Sequence, residues 1–291
     1  METVFGDAYK NAMEGLFKRR YEANFAVKFN LSLLMAAFTG AAAQLRIYLP
    51  FTPVPITGQV FPALLSGMLL GRWYGGLSQA LYAGIGAAGI LWFAPGADMP
   101  AFSRGGVEVL TGVTGGYIVG FIVAAFFIGW FTDTFVRARS PVFQLPLMLF
   151  GVVIIYAFGA IQFSFVTGYG MGETLLKAVL PFIPGDILKA LAAVAIGTAV
   201  LPRTPYGKEL DTGETKVDGE RKIHSAGVAI TATIAVIFVG LFWIKFSSVE
   251  SPFIAQMVKD TALFAGIVLL SGALFMNFLK GRKNVADSGS D

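Results

Sequence analysis

Residues 145–166 read LPLMLFGVVIIYAFGAIQFSFV, and no charged side chain interrupts them. A helix of this length rises about 30 Å, the thickness of a bilayer's hydrocarbon core. In that medium every backbone N–H and C=O must be satisfied within the protein, which favours helix for such a run. Comparable runs fall at about 25–45, 57–71, 74–93, 107–131, 182–201, 225–246 and 260–279, the second of them short. The expectation is an all-α integral membrane protein with eight spans. Composition agrees: 55% of the residues are hydrophobic and 14% charged, where a soluble domain carries about 25% charged residues. Mean hydropathy is +0.69. The 35 glycines suit membrane helices, whose backbones approach closely at small residues.

The basic residues follow the spans. Lys10, Lys18, Arg19 and Arg20, then Arg72, then Arg137 and Arg139 fall on the side of the N-terminus. Arg203, Lys208, Lys216, Arg221 and Lys222 continue that side, and Lys280, Arg282 and Lys283 end it. The other side has Arg46, Arg104, Lys177, Lys245 and Lys259. Cationic loops stay cytoplasmic, so both termini are expected inside a plasma membrane, and the net charge of +4 is a topology signal rather than a nucleic-acid footprint. Residues 1–24 place Phe5, Ala8, Ala12, Met13, Leu16 and Phe17 at helical spacing opposite Lys10, Lys18 and Arg19. That pattern reads as an interfacial helix rather than a cleaved leader. The polar stretch 203–222 separates a six-span core, 25–202, from a two-span extension, 223–291.

Several chemistries are excluded. Without cysteine there is no disulfide, iron–sulfur cluster or thiolate zinc site, and His224 alone offers no metal-ligand set. No phosphate-binding G-x-x-x-x-G-K-[ST] loop occurs, so no bound nucleotide or cofactor is expected. The charged residues near the outer face are Arg46, Asp98, Arg104, Glu108, Glu173, Lys177, Asp186 and Lys189.

Within PFIPGDILKAL (181–191), Pro184 suits a first helical turn. Asp186 then meets the positive end of the helix dipole, and Lys189 follows three residues later on the same side. So close to an apolar span the two are costly unless they meet each other or a ligand. They read either as an ion pair pinning the helix end or as adjacent acceptor and donor for cargo. In LPFTPVPITGQ (49–59), Pro50, Pro53 and Pro55 forbid helix and favour a stiff extended segment. It serves as a connector or as a lid offering Thr52, Thr57 and Gln59. Gly112, Gly116 and Gly120 recur every fourth residue, a face for close helix packing. Arg104 stands on the cation-poor side, facing a ligand carboxylate or outside water. Tyr82, Trp92, Phe93, Phe102 and Tyr117 share the outer level, as an aromatic belt or, for one or two, stacked on a flat ligand.

Taken together these stretches resemble the BioY family, the substrate-capturing subunits of energy-coupling-factor biotin transporters. The resemblance covers roughly residues 25–201 and rests on several segments in order. They are LPFTPVPIT with Gln59, Leu81-Tyr82 through Gly86 and Gly89 to Phe93, and Gly105-Gly106. Thr114-Gly115-Gly116-Tyr117 with Gly120-Phe121, and LPFIPGD with Lys189, complete the set. Val113 stands where the family usually has proline, and the last two spans are additional to the family core. The resemblance implies a six-helix S-component bundle, here with two further C-terminal transmembrane helices. It implies biotin bound near the outer face, with Asp186 and Lys189 in contact with it. Biotin offers ureido donors, a ureido carbonyl and a carboxylate on an apolar body, to which Asp186, Lys189 and Arg104 answer chemically. Thr57, Gln59, Tyr82, Phe93 and Tyr117 complete the expected substrate site. The resemblance also implies a transmembrane coupling subunit and ATPase subunits, with Ala37 and Ala41 as the coupling contact on the first helix. Another small vitamin is the alternative cargo; an intramembrane enzyme using Asp186, Lys189 and Glu108 is the alternative class.

Overall fold

The structure, a computed structural model, describes residues 20–202 together with Gly15, Phe17, Pro205, Glu209 and Leu210. The expected spans 225–246 and 260–279 lie outside the described residues, as do most of 1–24 and of 203–222. The chain divides into two compact units, Met1–Val236 and Ile237–Asp291, and all described residues belong to the first.

Helix α1 (Phe25–Ala43) starts where the Asn24 side chain accepts the Val27 N–H at 3.0 Å, satisfying one of the free donors of a helix start. Two short strands follow, β1 (Arg46–Ile47) and β2 (Ile56–Thr57), paired antiparallel with Arg46 opposite Thr57. The proline-rich stretch is therefore the loop of a small β-hairpin rather than a simple extended connector. Its prolines sit between the strands, where no ladder hydrogen bond is lost.

Helix α2 (Val60–Ala87) is broken at Gly71, which has φ 78 and ψ −178. The chain reverses there: Gln79 Nε2 donates to Ser66 Oγ at 3.2 Å across 13 residues, a separation that a straight helix would stretch to about 20 Å. Gly67 and Gly75 press their backbones together across the turn, with no room for a side chain on either. The two limbs, 60–70 and 72–87, overlap the expected short span 57–71 and its successor 74–93, though the second limb stops at Ala87. A left-handed φ at Gly71 costs nothing without a Cβ, so glycine permits the tight reversal.

The expected span 107–131 is not one helix. A single turn, α3 (Glu108–Thr111), is separated from α4 (Gly115–Thr134) by extended backbone at Gly112. Gly112 thus drops off the packing face, while Gly116 and Gly120 lie against the backbone of Phe158 and Ile155 on α5 (Pro141–Thr167). Helix α5 begins with Pro141 in its first turn and ends at Gly168 in the left-handed conformation, a usual helix stop. Helix α6 (Met171–Ala178) and a short 3₁₀ turn (Leu180–Phe182) lead into α7 (Ile183–Val200).

Among the described residues, four segments are long and apolar enough to cross a membrane: Phe25–Ala43, Gly115–Thr134, Pro141–Thr167 and Met171–Val200. The α2 hairpin packs mainly on α4, α4 on α5, and α1 on the hairpin, while α7 closes against α5 and α2. The fold is a helical membrane bundle with one small β-ladder at one end. The opposite end carries the Gly71 turn and the C-terminus of α4, where Asp133 Oδ2 accepts the Arg72 N–H at 3.0 Å.

Candidate functional site

Chain breaks, rather than helix midpoints, build the cavity at the β-ladder end. The hairpin brings Val54, Pro55, Ile56 and Thr57 over it, and Gln59 and Val60 begin α2 beside them. Phe93 is locked in place by a backbone bridge to Arg104, its N–H donating to that carbonyl at 3.0 Å. Its ring meets Tyr82 edge-on at 5.3 Å and covers Gly86, where a side chain would collide with it. Tyr117 comes from the first turns of α4, Ile155 and Tyr156 from α5, and Asp186 and Lys189 from α7. These walls enclose a small cavity of about 50 Å³.

The walls are mostly apolar, and the polar groups gather on one side. Lys189 Nζ donates to Asp186 Oδ1 at 2.6 Å, and Tyr156 Oη donates to Asp186 Oδ2 at 2.6 Å. Asp186 is 3% exposed and Lys189 7%. Pro184 and Asp186 lie in the first turn of α7, as their spacing predicts, and the i,i+3 offset lets the two charges meet. A buried pair of this kind is costly to desolvate, and its mutual attraction offsets the cost only with good geometry and further hydrogen bonds. Capacity remains after these contacts. A carboxylate accepts up to about four hydrogen bonds, and an ammonium donates three. The pair therefore presents a free acceptor edge and free N–H donors to whatever enters an otherwise oily space.

A second chain of hydrogen bonds runs under the hairpin. Thr57 Oγ1 donates to Gln59 Oε1 at 2.8 Å, and Gln59 Nε2 donates to Tyr82 Oη at 2.6 Å. It ties the base of the hairpin to the second limb of α2.

Six of the expected substrate residues line the cavity: Asp186, Lys189, Thr57, Gln59, Phe93 and Tyr117. Tyr82 is fully buried behind Gln59 and supports the wall instead of forming it. Arg104 stands outside the wall, its Nη1 3.4 Å from the carbonyl of Ala94, which does line the cavity. Tyr48 lies near it at the rim and donates to the Pro95 carbonyl at 2.7 Å. Burial pushes the Tyr48 phenol up, against the opposing pull of Arg104 and Arg46. The other outer-level charges are not part of the cavity wall: Asp98 and Glu108 are exposed, and Lys177 pairs with Glu173 at 3.1 Å on α6. Thr52 is turned inward, accepting the Val54 N–H within the hairpin loop. Of the residues sequence reading missed, Tyr156 matters most. Its signal was a single tyrosine in the uncharged run 145–166, whose phenol needs a partner when buried. Tyr117, whose hydroxyl bonds the Ala178 carbonyl, packs its ring on Gly159 and meets Phe182 edge-on. Ala37 and Ala41 lie away from the cavity, exposed on the outer face of α1, while Ala36 and Gly40 face inward.

Known proteins share this chain's pattern. A probable biotin transporter BioY of Methanothermobacter thermautotrophicus is 46% identical over 154 residues, covering 50% of this chain and 94% of that protein. The biotin transporter BioY of Rhizobium etli is 32% identical over 182 residues, covering 60% and 93%. A crystal structure of the S-component for biotin from an ECF-type ABC transporter matches with a TM-score of 0.53 at 30% identity, covering 59% of this chain and 89% of that one. The BioY family model matches residues 17–206, a span that contains every wall of the cavity, and the chain belongs to the BioY family.

Proposed function

We propose that this chain is the biotin-capturing membrane subunit of a vitamin uptake system rather than an enzyme, and that biotin occupies the cavity beneath the β-hairpin. The observation that carries the reading is the buried Asp186–Lys189 pair, backed by Tyr156, on the polar side of an apolar cavity. Biotin needs such a mixture: ureido N–H donors, a ureido carbonyl and a carboxylate on an apolar body. The names of the relatives point to the same ligand.

On this reading α1, the two limbs of α2, α4, α5 and α7 are the six membrane passes of an S-component core. Residues 225–246 and 260–279 add two more by their apolar length, serving as packing or anchoring helices. The distribution of Lys and Arg puts both termini in the cytoplasm and the cavity at the outer face. With no nucleotide-binding loop of its own, the chain draws power from ATPase subunits through a transmembrane coupling subunit. The exposed small residues Ala37 and Ala41 offer that subunit a close approach on α1.

Titration of biotin against the detergent-purified chain tests the site. Asp186→Asn and Lys189→Ala are each expected to weaken binding at least about thirtyfold, as truncation of a buried hydrogen-bonded charge does. Unchanged affinity in both variants would sink the assignment. Competition with a panel of vitamins separates biotin from other cargo, and co-purification of ATPase subunits tests the energised assembly.

A further inference from the structure

The end of the bundle opposite the cavity holds a second opening of about 700 Å³, between the start of α1, the Gly71 turn and the last turns of α4. Its lining carries three cations, Arg20, Lys28 and Arg72, against the single carboxylate of Asp133. Asp133 is already committed: it pairs with Arg20 and accepts the Arg72 backbone N–H. Among the described residues the Arg72 guanidinium meets no carboxylate and lies 5.5 Å from the centre of the Trp73 ring. Arg20 Nη1 is buried with no hydrogen-bond partner among the described residues. Lys28 spends one proton on the Tyr21 carbonyl at 2.9 Å and has two to spare. A buried donor without an acceptor is costly, so Arg20 Nη1, with the part-exposed Lys28 and Arg72 beside it, favours an anion.

The surroundings indicate where the anion comes from. Trp73 is 65% exposed and Trp130 41%, both at the rim of the opening, with Leu31 and Leu70 in its wall. Tryptophan at a helix end marks the membrane–water interface, and apolar walls below it suit acyl chains. We propose that this opening binds the phosphate headgroup of an anionic phospholipid in the leaflet at the Gly71 end of the bundle. Arg72, Lys28 and the free Nη1 of Arg20 hold the phosphate, and Trp73 and Trp130 flank the glycerol and chains. The site does not depend on what the distant cavity carries.

Native mass spectrometry of the full chain, titrated with phosphatidylglycerol or phosphatidylcholine in detergent, tests this. Each Lys or Arg near an anionic surface is worth about fivefold in affinity, so Arg72→Gln with Lys28→Gln should weaken phosphatidylglycerol retention roughly twenty-fivefold. Lys177→Gln, a cation at the other end, should leave it unchanged. An unaltered unfolding temperature in each variant shows that folding is not the cause; if the double variant misfolds, Arg72→Gln alone, expected to cost about fivefold, replaces it. Equal retention of the two lipids overturns the proposal, as does an equal loss in Lys177→Gln. Displacement by millimolar inorganic phosphate would assign the site to free phosphate instead of lipid. Retention that appears only after Glu214, Asp218 and Glu220 become glutamine would mean that the chain's own polar stretch fills the opening, and would overturn it too.

Discussion

The two ends of the bundle each bury ion pairs, but the pairs are built differently. At the cavity end Asp186 and Lys189 are three residues apart on one helix, so their contact ties nothing distant together. At the other end Arg139 and Glu209, both with fully buried side chains, pair at 2.7 Å across 70 residues, and Arg20 and Asp133 pair across 113. Phe17 lies between two of these cations, its ring 4.6 Å from the Arg139 guanidinium and 4.9 Å from that of Arg20. The distant pairs fasten the segments flanking the core onto α4 and the turn that follows it. The local pair has no such task, and it faces open space. On the proposed function the pair within one helix serves the ligand, whereas the pairs that close long loops serve the fold.

That contrast can be broken by measurement. Asp186→Asn should cost about 3 kcal/mol of biotin binding and, by leaving Lys189 without its carboxylate, lower the unfolding temperature as well; a lowered melting point with unchanged affinity would make the pair structural. Arg139→Met should lower stability by about 3–5 kcal/mol, because it breaks a buried pair that joins segments 70 residues apart, with biotin titration unchanged once the protein is folded. Gly71→Ala forces an L-residue into the left-handed region and its methyl into Arg20 and Asp133, which should cost about 1–2 kcal/mol in denaturation. Tyr156→Phe removes a single hydrogen bond to Asp186, about 1 kcal/mol or fivefold in biotin affinity, and should leave stability near that of the parent. If Tyr156→Phe proved silent in binding, the phenol would be support for the pair and no part of the ligand wall.

Much of this was open to reading in the sequence. The apolar run 145–166 needed no context to become α5, and the break near residue 71 was legible because two apolar runs met there at an arginine with glycine before it. Asp186 and Lys189 were legible for the same local reason: three residues along a helix is one contact. Tyr156 was not, because its partner lies on another helix 30 residues later. The break at Gly112 was missed since hydropathy runs straight through it, while the backbone there turns extended to feed α3 into α4. Arg104 was placed at the right end, yet its backbone pairing with Phe93 turns it to the rim instead of the cavity.

Sequence alone therefore determined that this is a helical membrane protein and which acid and base stand together on α7. Those facts follow from hydrophobic length and from spacing along one helix, which are properties of a local stretch. Tertiary structure alone decided that the pair opens onto a cavity, that Tyr156 completes it, and that Arg139 finds Glu209. Such partnerships join residues 30 and 70 positions apart. No periodicity records them, because the chain must first close its loops before either partner leaves water.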